Sequence, residues 1–239
     1  MRGMPVIAVV GARNLGRAIL HHFRGQSWEG AGIARSEASL DGLDGLGVQA
    51  DASDPDALRD ALARVRSELG GLDAVVNAAS AARPPREGGP FGGGPLVDAT
   101  LEDYRGWASA VGEQAFVFFS EGGRALRESG GGTLIQVTGG SSRRAMPGRG
   151  AWAAGAFATR ALSQAAAQEW RGEGIHVALL VVDATIDSPK TAGMLQGRAP
   201  DESASQEDDA RAAFFLATQS PRGMSHELVV TPAGDRWVP

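Results

Sequence analysis

Residues 6–16 read VIAVVGARNLG, and this stretch decides the fold of the 239-residue chain. Its first half, Val6 to Val10, is apolar throughout, as expected for a strand that is buried on both faces. Leu15 to Phe23 then repeats apolar residues at helical spacing. The chain therefore opens with a strand and a helix joined by a short turn, which is the unit that builds a parallel sheet.

The same alternation continues along the chain. Further strands are predicted at 30–34, 48–51, 73–77, 133–138, 175–182 and 227–230. Helices are predicted at 55–69, with Ser53 or Asp54 as N-cap, and near 101–128, 151–171 and 206–218. Alternating strands and helices predict one α/β domain over 1–239, with a doubly wound, mostly parallel sheet and helices on both faces.

Two segments interrupt this pattern. Residues 81–95 are rich in proline and glycine, and residues 188–206 form a polar connection. Both leave the predicted sheet at the carboxyl ends of strands, where open α/β sheets bind their ligands. We therefore expect two mobile loops that frame one cleft.

Composition excludes several classes of function. A formal net charge of -5 provides no basic stripe for nucleic acid. The chain has no cysteine, so it has no disulfide, thiolate nucleophile or cysteine-based zinc site, and the spacing of its histidines indicates no metal site. No apolar stretch approaches about 18 residues and no signal peptide is recognisable, so we expect a cytoplasmic protein without a membrane span.

The turn after the first strand, Gly11 to Gly16, has GxGxxG spacing with Arg13 in place of the second glycine. In such turns the second glycine lets the backbone approach a pyrophosphate closely. A guanidinium there either impedes the diphosphate or turns outward and pairs with a phosphate. A tight turn without any bound nucleotide is the remaining interpretation.

The second predicted strand ends in Ala34, Arg35 and Ser36, without the acid that a fold preferring NAD usually carries for the ribose 2′-hydroxyl. Arginine suits a 2′-phosphate instead. If a dinucleotide binds, the sequence favours NADP(H), with Arg35 and Arg13 as the phosphate clamp; the alternative is that Arg35 is a solvated surface residue.

With these motifs in order, the chain resembles a classical short-chain dehydrogenase/reductase over nearly its whole length. The resemblance also rests on Asp51 with Ser53 and Asp54 after the third strand, on Asn77 to Ser80 after the fourth, on Asp183 to Pro189 after the sixth, and on the closing segment from Glu227. It implies a single-domain Rossmann fold with a seven-stranded sheet of order 3-2-1-4-5-6-7. It also implies cofactor contacts from Gly11, Arg13, Asn14, Leu15, Gly16, Arg35, Ser36, Asp51, Ala52, Asn77, Ala78, Ala79, Ile186 and Ser188.

The chain departs from the family at its proton relay. The family's tyrosine slot falls on Trp152, the lysine slot on Ala156, the serine slot on Gly139 and the asparagine slot on Gly112. No shift of alignment restores the pair, because the only tyrosine is Tyr104 and the only lysine is Lys190. An indole N–H donates a hydrogen bond but does not titrate usefully, so Trp152 can orient a carbonyl without protonating it.

Substitute groups are few. Ser141 and Ser142 lie just beyond the serine slot, with capping of the loop as the alternative. Asp183 or Asp187 would serve as a general acid if burial raised its pKa, with turn capping as the alternative. Arg143 and Arg144 are candidates for binding an acidic ligand, with a solvated loop pair as the alternative.

The sequence thus predicts an atypical oxidoreductase of this family that binds NADP(H) and whose reduction is slow, unusual or replaced by non-redox chemistry. Two other hypotheses stay open: a non-catalytic sensor or regulatory protein, and an enzyme that uses no nucleotide. The small-molecule ligand is not specified. The alanine-rich segment from Phe157 to Trp170 resembles the family's pairing helix, which implies a homodimer or homotetramer; the alternative is a helix that packs only on its own sheet.

Overall fold

The computed structural model describes residues 3–85 and 89–235. Its centre is one parallel sheet of seven strands in the order β3-β2-β1-β4-β5-β6-β7. The predicted Rossmann-type fold and strand order are therefore confirmed. The strands are β1 (Val6–Val10), β2 (Glu29–Ala34), β3 (Leu46–Gln49), β4 (Ala74–Asn77), β5 (Gly132–Gly139), β6 (Ile175–Val182) and β7 (Glu227–Val230).

Helices cover both faces of the sheet. They are α1 (Leu15–Gly25), α2 (Pro55–Leu69), α3 (Leu101–Tyr104), α4 (Ala110–Glu128), α5 (Gly150–Trp170), α6 (Ala192–Leu195) and α7 (Gln206–Ala217). One apolar core lies between the sheet and α2, α4 and α5, and the other lies between the sheet and α1 and α7. Residues of β1 alternate between these cores, because successive side chains of a strand point to opposite faces.

The helical run from residue 101 to 128 differs from the uniform helix that its sequence pattern predicts. A π-helical turn, Arg105–Ser109, separates α3 from α4. Gly106 occupies this turn, where a β-carbon would lie 2.1 Å from the carbonyl oxygen of Arg83. The missing side chain lets the loop after β4 lie directly against the helix, and the Arg83 amide donates to the Gly106 carbonyl at 2.8 Å.

The predicted loops are partly structured. Residues 86–88 of the 81–95 segment lie outside the described residues, whereas Phe91–Gly93 forms a 3-10 turn. The 188–206 connection contains α6 and a 3-10 turn at Pro200–Glu202. A bridge between Ile186 and Ala204 ties the two ends of this connection together. Among the described helices, none is both long enough and apolar enough to cross a membrane.

Candidate functional site

The two glycines of the first turn hold it closely against its neighbours. Gly11 has a φ of 92°, and a β-carbon there would lie 2.7 Å from Cα of Ala79. A β-carbon on Gly16 would lie 1.8 Å from the carbonyl oxygen of Gly11. Side chains at either position would force the turn off the sheet edge, so both glycines have the steric role that the motif predicts.

The backbone strain of this turn falls on Asn14 and not on Arg13, the residue that replaces the second glycine. Asn14 has φ 44° and ψ -119°, a conformation that glycine adopts readily and other residues rarely do. The side chain of Arg13 is exposed. The first turn of α1 carries no acidic residue, so its amide groups and positive dipole end are compatible with an anion.

Arg35 and Ser36 follow β2 at the same edge of the sheet, and both are exposed. The carbonyl oxygen of Arg35 accepts a hydrogen bond from Nε2 of Gln49 at 3.1 Å, which holds its backbone to the end of β3. The hydroxyls of Ser36 and Ser39 lie 2.7 Å apart. The structure thus anchors the main chain of Arg35 and leaves its guanidinium at the surface.

The third strand ends earlier than its sequence pattern indicates, at Gln49, so Asp51 and Ala52 lie in the connection to α2. Oδ1 of Asp51 accepts from the Ser53 amide at 2.9 Å. Asp54, the second of the two predicted N-caps, caps α2 by accepting from the amides of Asp56 and Ala57. The half-buried Asp51 and Ala52 are therefore placed by a turn followed directly by a capped helix.

Asn77 at the end of β4 is fully buried and organises a polar network that sequence reasoning did not find. Its Nδ2 donates to Oε1 of Gln114 on α4 at 3.0 Å and to Oε1 of Gln136 on β5 at 2.9 Å. Its Oδ1 accepts from the amide of Ala79 at 3.1 Å, which positions the Ala78 and Ala79 backbone against Gly11. Glutamines inside otherwise apolar segments were the available signal for this network.

The four family slots for catalysis contain no group that titrates near neutrality. Gly139 ends β5, Ala156 is buried on α5, and Gly112 lies on α4 facing Ala158. Trp152 lies in the first turn of α5, where its indole is half-buried. Tyr104 is 48% exposed on α3, and Lys190 is exposed in the connection after β6.

Trp152 belongs to a cluster of three aromatic rings, which we call the aromatic cluster: Phe91, Trp107 and Trp152. The Trp152 ring centroid lies 5.7 Å from that of Trp107 and 5.5 Å from that of Phe91. The Phe91 and Trp107 centroids are 5.0 Å apart. The guanidinium of Arg149, just before α5, lies 5.3 Å from the Phe91 ring centroid.

The groups considered as catalytic substitutes are mostly engaged elsewhere. Both carboxylate oxygens of Asp183 accept from Arg144, at 2.6 and 2.9 Å, so Asp183 acts as an ion-pair partner. Gly140 makes room for this pair, since a β-carbon there would lie 1.8 Å from Oδ1 of Asp183. Asp187 is exposed, so the burial that a general acid requires is absent there.

The two arginines after β5 are not the solvated pair given above as the alternative. Arg144 is held by Asp183, and Nε of Arg143 lies 3.8 Å from Oε1 of Glu227. Ser142 is fully buried and its hydroxyl donates to the carbonyl of Gly139 at 2.9 Å, which is the loop-capping role. Ser141 is half-buried in the same 3-10 turn.

At the end of β6, Ile186 pairs with Ala204, and Ser188 is buried against Thr191. The Ser188 amide donates to Oγ1 of Thr191 at 3.1 Å, and the two hydroxyls are 2.9 Å apart. Thr191 was not singled out from the sequence. It fastens the start of the connection that carries α6.

Comparison with known proteins agrees with this architecture. A family model described as enoyl-(acyl carrier protein) reductase matches residues 29–234. A D-threitol dehydrogenase of Mycolicibacterium smegmatis is 24% identical over 187 residues, covering 73% of this chain and 67% of that protein. An NADPH-dependent aldehyde reductase-like protein of Arabidopsis thaliana is 28% identical over 142 residues, covering 59% of this chain and 50% of that protein.

Solved structures extend the likeness to the whole fold. An alcohol dehydrogenase of Thermococcus sibiricus complexed with 5-hydroxy-NADP superposes with a TM-score of 0.80 at 18% identity, covering 99% of this chain and 100% of that chain. The closed form of a serine dehydrogenase complexed with NADP+ gives a TM-score of 0.82 at 17% identity, covering 98% and 97%. At these identities the superpositions establish the fold.

Proposed function

The chain belongs to the short-chain dehydrogenase/reductase family, and on that premise we propose that it is an atypical oxidoreductase that binds NADP(H) and acts slowly on a small carbonyl compound or alcohol. The observation that carries the nucleotide preference is Arg35. It follows β2 with an anchored backbone and an exposed guanidinium, where a fold that prefers NAD carries an acid.

The residues of the first turn fit a dinucleotide. Gly11 and Gly16 let the turn pack against Ala79 and against its own backbone, where β-carbons would collide, and the Arg13 side chain is exposed. In this proposal the turn and the start of α1 hold the diphosphate, while Arg35, Ser36 and Arg13 hold the 2′-phosphate. Asp51, Ala52 and the Asn77 segment hold the adenosine side, and Ile186 and Ser188 hold the nicotinamide side.

The bound nucleotide would supply or accept the hydride, and the chain itself would orient the reactants. Orientation alone accounts for about 7–11 kcal/mol of barrier lowering in favourable cases. Without a tyrosine and lysine relay, loss of general acid catalysis costs about 10²- to 10⁴-fold in rate. The reaction is therefore expected to be slow for carbonyl compounds that need protonation.

Nucleotide binding is tested by following nicotinamide fluorescence while NADPH and NADH are titrated into the protein. NADPH is expected to bind in the micromolar range and more tightly than NADH. Binding of both no tighter than millimolar would refute the nucleotide assignment. A preference for NADH would refute the role of Arg35 alone.

The substitution Arg35→Ser tests that role directly. A charge-assisted hydrogen bond contributes about 1.5–3 kcal/mol, so the variant should bind NADPH about 10- to 100-fold more weakly and NADH unchanged. Arg222→Ser, which removes an exposed arginine beyond α7, is the matched control and should leave both affinities unchanged. Equal weakening for both nucleotides would indicate a structural role for Arg35.

Turnover separates the enzyme from a binding protein. Absorbance at the nicotinamide band should show reduction of activated aldehydes, ketones or quinones at least about 100-fold slower than by a family member with the tyrosine and lysine. Turnover at ordinary family rates would contradict the assignment of Trp152 to the tyrosine slot.

The alternative function is a non-catalytic nucleotide- or ligand-binding protein. The observation that favours it is the contact between Phe91 and Trp152, which covers the slot where the family places its acid. Tight NADPH binding with no turnover of any substrate class would support this function.

We further propose that the protein is a homodimer or homotetramer. An open groove of about 650 Å³ runs between α4 and α5 and is lined largely by apolar and small side chains, including Phe116, Ala158 and Leu162. Phe116 is 60% exposed, and Phe157, which precedes Ala158 on α5, is 42% exposed. A second copy of these helices would cover them.

A further inference from the structure

The side chain of Phe91 is half exposed although it contacts two tryptophan rings. The ring is 49% exposed, yet it lies edge-on against the buried Trp107 and tilted against Trp152. Its centroid is 5.0 Å from one indole and 5.5 Å from the other. A phenyl ring is thus held at the surface against two indoles whose centroids are themselves 5.7 Å apart.

Backbone geometry places this ring. Gly92, Gly93 and Gly94 have φ values of 83°, 93° and 79°, so the turn depends on three glycines in a row. A β-carbon on Gly92 would lie 2.9 Å from Cα of Arg149, and one on Gly93 would lie 3.2 Å from Cβ of Ala151. The turn that carries Phe91 packs closely against the start of α5, with backbone angles that residues other than glycine rarely adopt.

The surroundings of the ring have the chemistry of an aromatic binding site. Arg149 lies 5.3 Å from the ring centroid of Phe91, within cation-π distance, and the indoles of Trp107 and Trp152 contact the same ring. Trp107 projects from the π-helical turn, an irregularity that often occurs at functional sites. The same arrangement would hold another flat aromatic ring of similar size.

We propose that Phe91 is an internal occupant of the substrate position, and that the substrate is a planar aromatic or conjugated carbonyl compound whose ring replaces the Phe91 phenyl against Trp152. The substrate class rests on the oxidoreductase function proposed above. Phe91 competes with this ligand, because both rings need the same two indole surfaces. A saturated ring of equal size lacks the π-face that Arg149 and the indoles select.

The test compares two ketones of matched size, acetophenone and cyclohexyl methyl ketone, by saturation-transfer NMR titration without nucleotide. Phe91→Ala should bind acetophenone at least about 10-fold more tightly than the wild type does, with little gain for the saturated ketone. Phe215→Ala removes a ring of similar exposure (52%) on α7 and should match the wild type. Adding Trp152→Ala to Phe91→Ala should abolish the gain.

A second variant is expected to displace the Phe91 ring without changing Phe91 itself. Gly93→Ala places a β-carbon against Ala151 at a φ of 93° and should lift the turn, which raises acetophenone affinity as Phe91→Ala does. The proposal is overturned if Phe91→Ala binds acetophenone no more tightly than the wild type, or if both ketones gain equally. Because no nucleotide is present, failure of NADPH binding leaves this result unaffected, and the reverse also holds.

Discussion

Asp209 is a buried carboxyl group whose protonation state is coupled to stability. It is 2% exposed on α7, and its Oδ2 has no hydrogen-bond partner among the described residues. Burial, with a smaller contribution from the neighbouring charge of Asp208, raises its pKa to about 7. Since the pKa of an unfolded aspartate is about 3.9, folding takes up a proton at pH values between these two pKa values.

The folded state therefore has the full benefit of a neutral Asp209 below about pH 4 and loses it as the pH rises to about 7. This loss amounts to about 4 kcal/mol at most, from about 3 pKa units at 1.36 kcal/mol each. Asp209→Asn should abolish this pH-dependent loss. In urea unfolding, the free energy of unfolding of the variant relative to the wild type should therefore rise from pH 4 to 7 and stay constant above pH 7. Asp60→Asn, an exposed change on α2, should follow the wild type at every pH; a pH-independent gain for Asp209→Asn would contradict the argument.

Asn14 adopts the unusual backbone conformation of the first turn. Its φ of 44° and ψ of -119° are costly for any residue with a β-carbon, by about 1–3 kcal/mol. Sequence spacing assigned the missing glycine to Arg13, because the motif counts positions and not dihedral angles. In the structure the positive φ falls on Asn14, while Arg13 is exposed and has no positive φ.

At the scale of elements, α2 depends on its first turn. Asp54 accepts from the amides of Asp56 and Ala57, and Pro55 follows at the first helical position. Such caps contribute about 1 kcal/mol, so Asp54→Ala should lower the free energy of unfolding by about that amount in a denaturant titration. Asp60→Ala, in the exposed middle of the same helix, should have little effect. A loss of equal size in both variants would mean that charge and not capping is responsible.

The helical run from 101 to 128 shows what periodicity misses at this scale. Apolar spacing predicts a helix there, and the chain is helical throughout, but the π turn at Arg105–Ser109 coincides with a long-range contact that periodicity does not reveal. The backbone of Arg83 contacts Gly106 although the two residues are 23 positions apart in sequence. Trp107 leaves the helix within this turn and so reaches Phe91.

At the scale of the whole molecule, the proposed homodimer makes a direct prediction. Phe116→Asp places a charge in the apolar groove between α4 and α5, where a partner would have to desolvate it. Size-exclusion chromatography with light scattering should show the wild type as a dimer or tetramer and this variant shifted towards monomer. Met194→Asp, which changes a similarly exposed side chain on α6, should keep the wild-type mass. A monomeric wild type would refute the proposal.

The sequence alone determined the alternation of strands and helices, the two glycines at the first turn and the absence of any Tyr-x-x-x-Lys pair. These features are local or compositional, so periodicity and residue counts suffice to read them. The tertiary structure decided which groups meet: Asp183 with Arg144, Asn77 with two glutamines, and Phe91 with Trp152. Each of these contacts joins residues 37 or more positions apart in sequence, so the packing of strands, helices and loops against one another sets their distances.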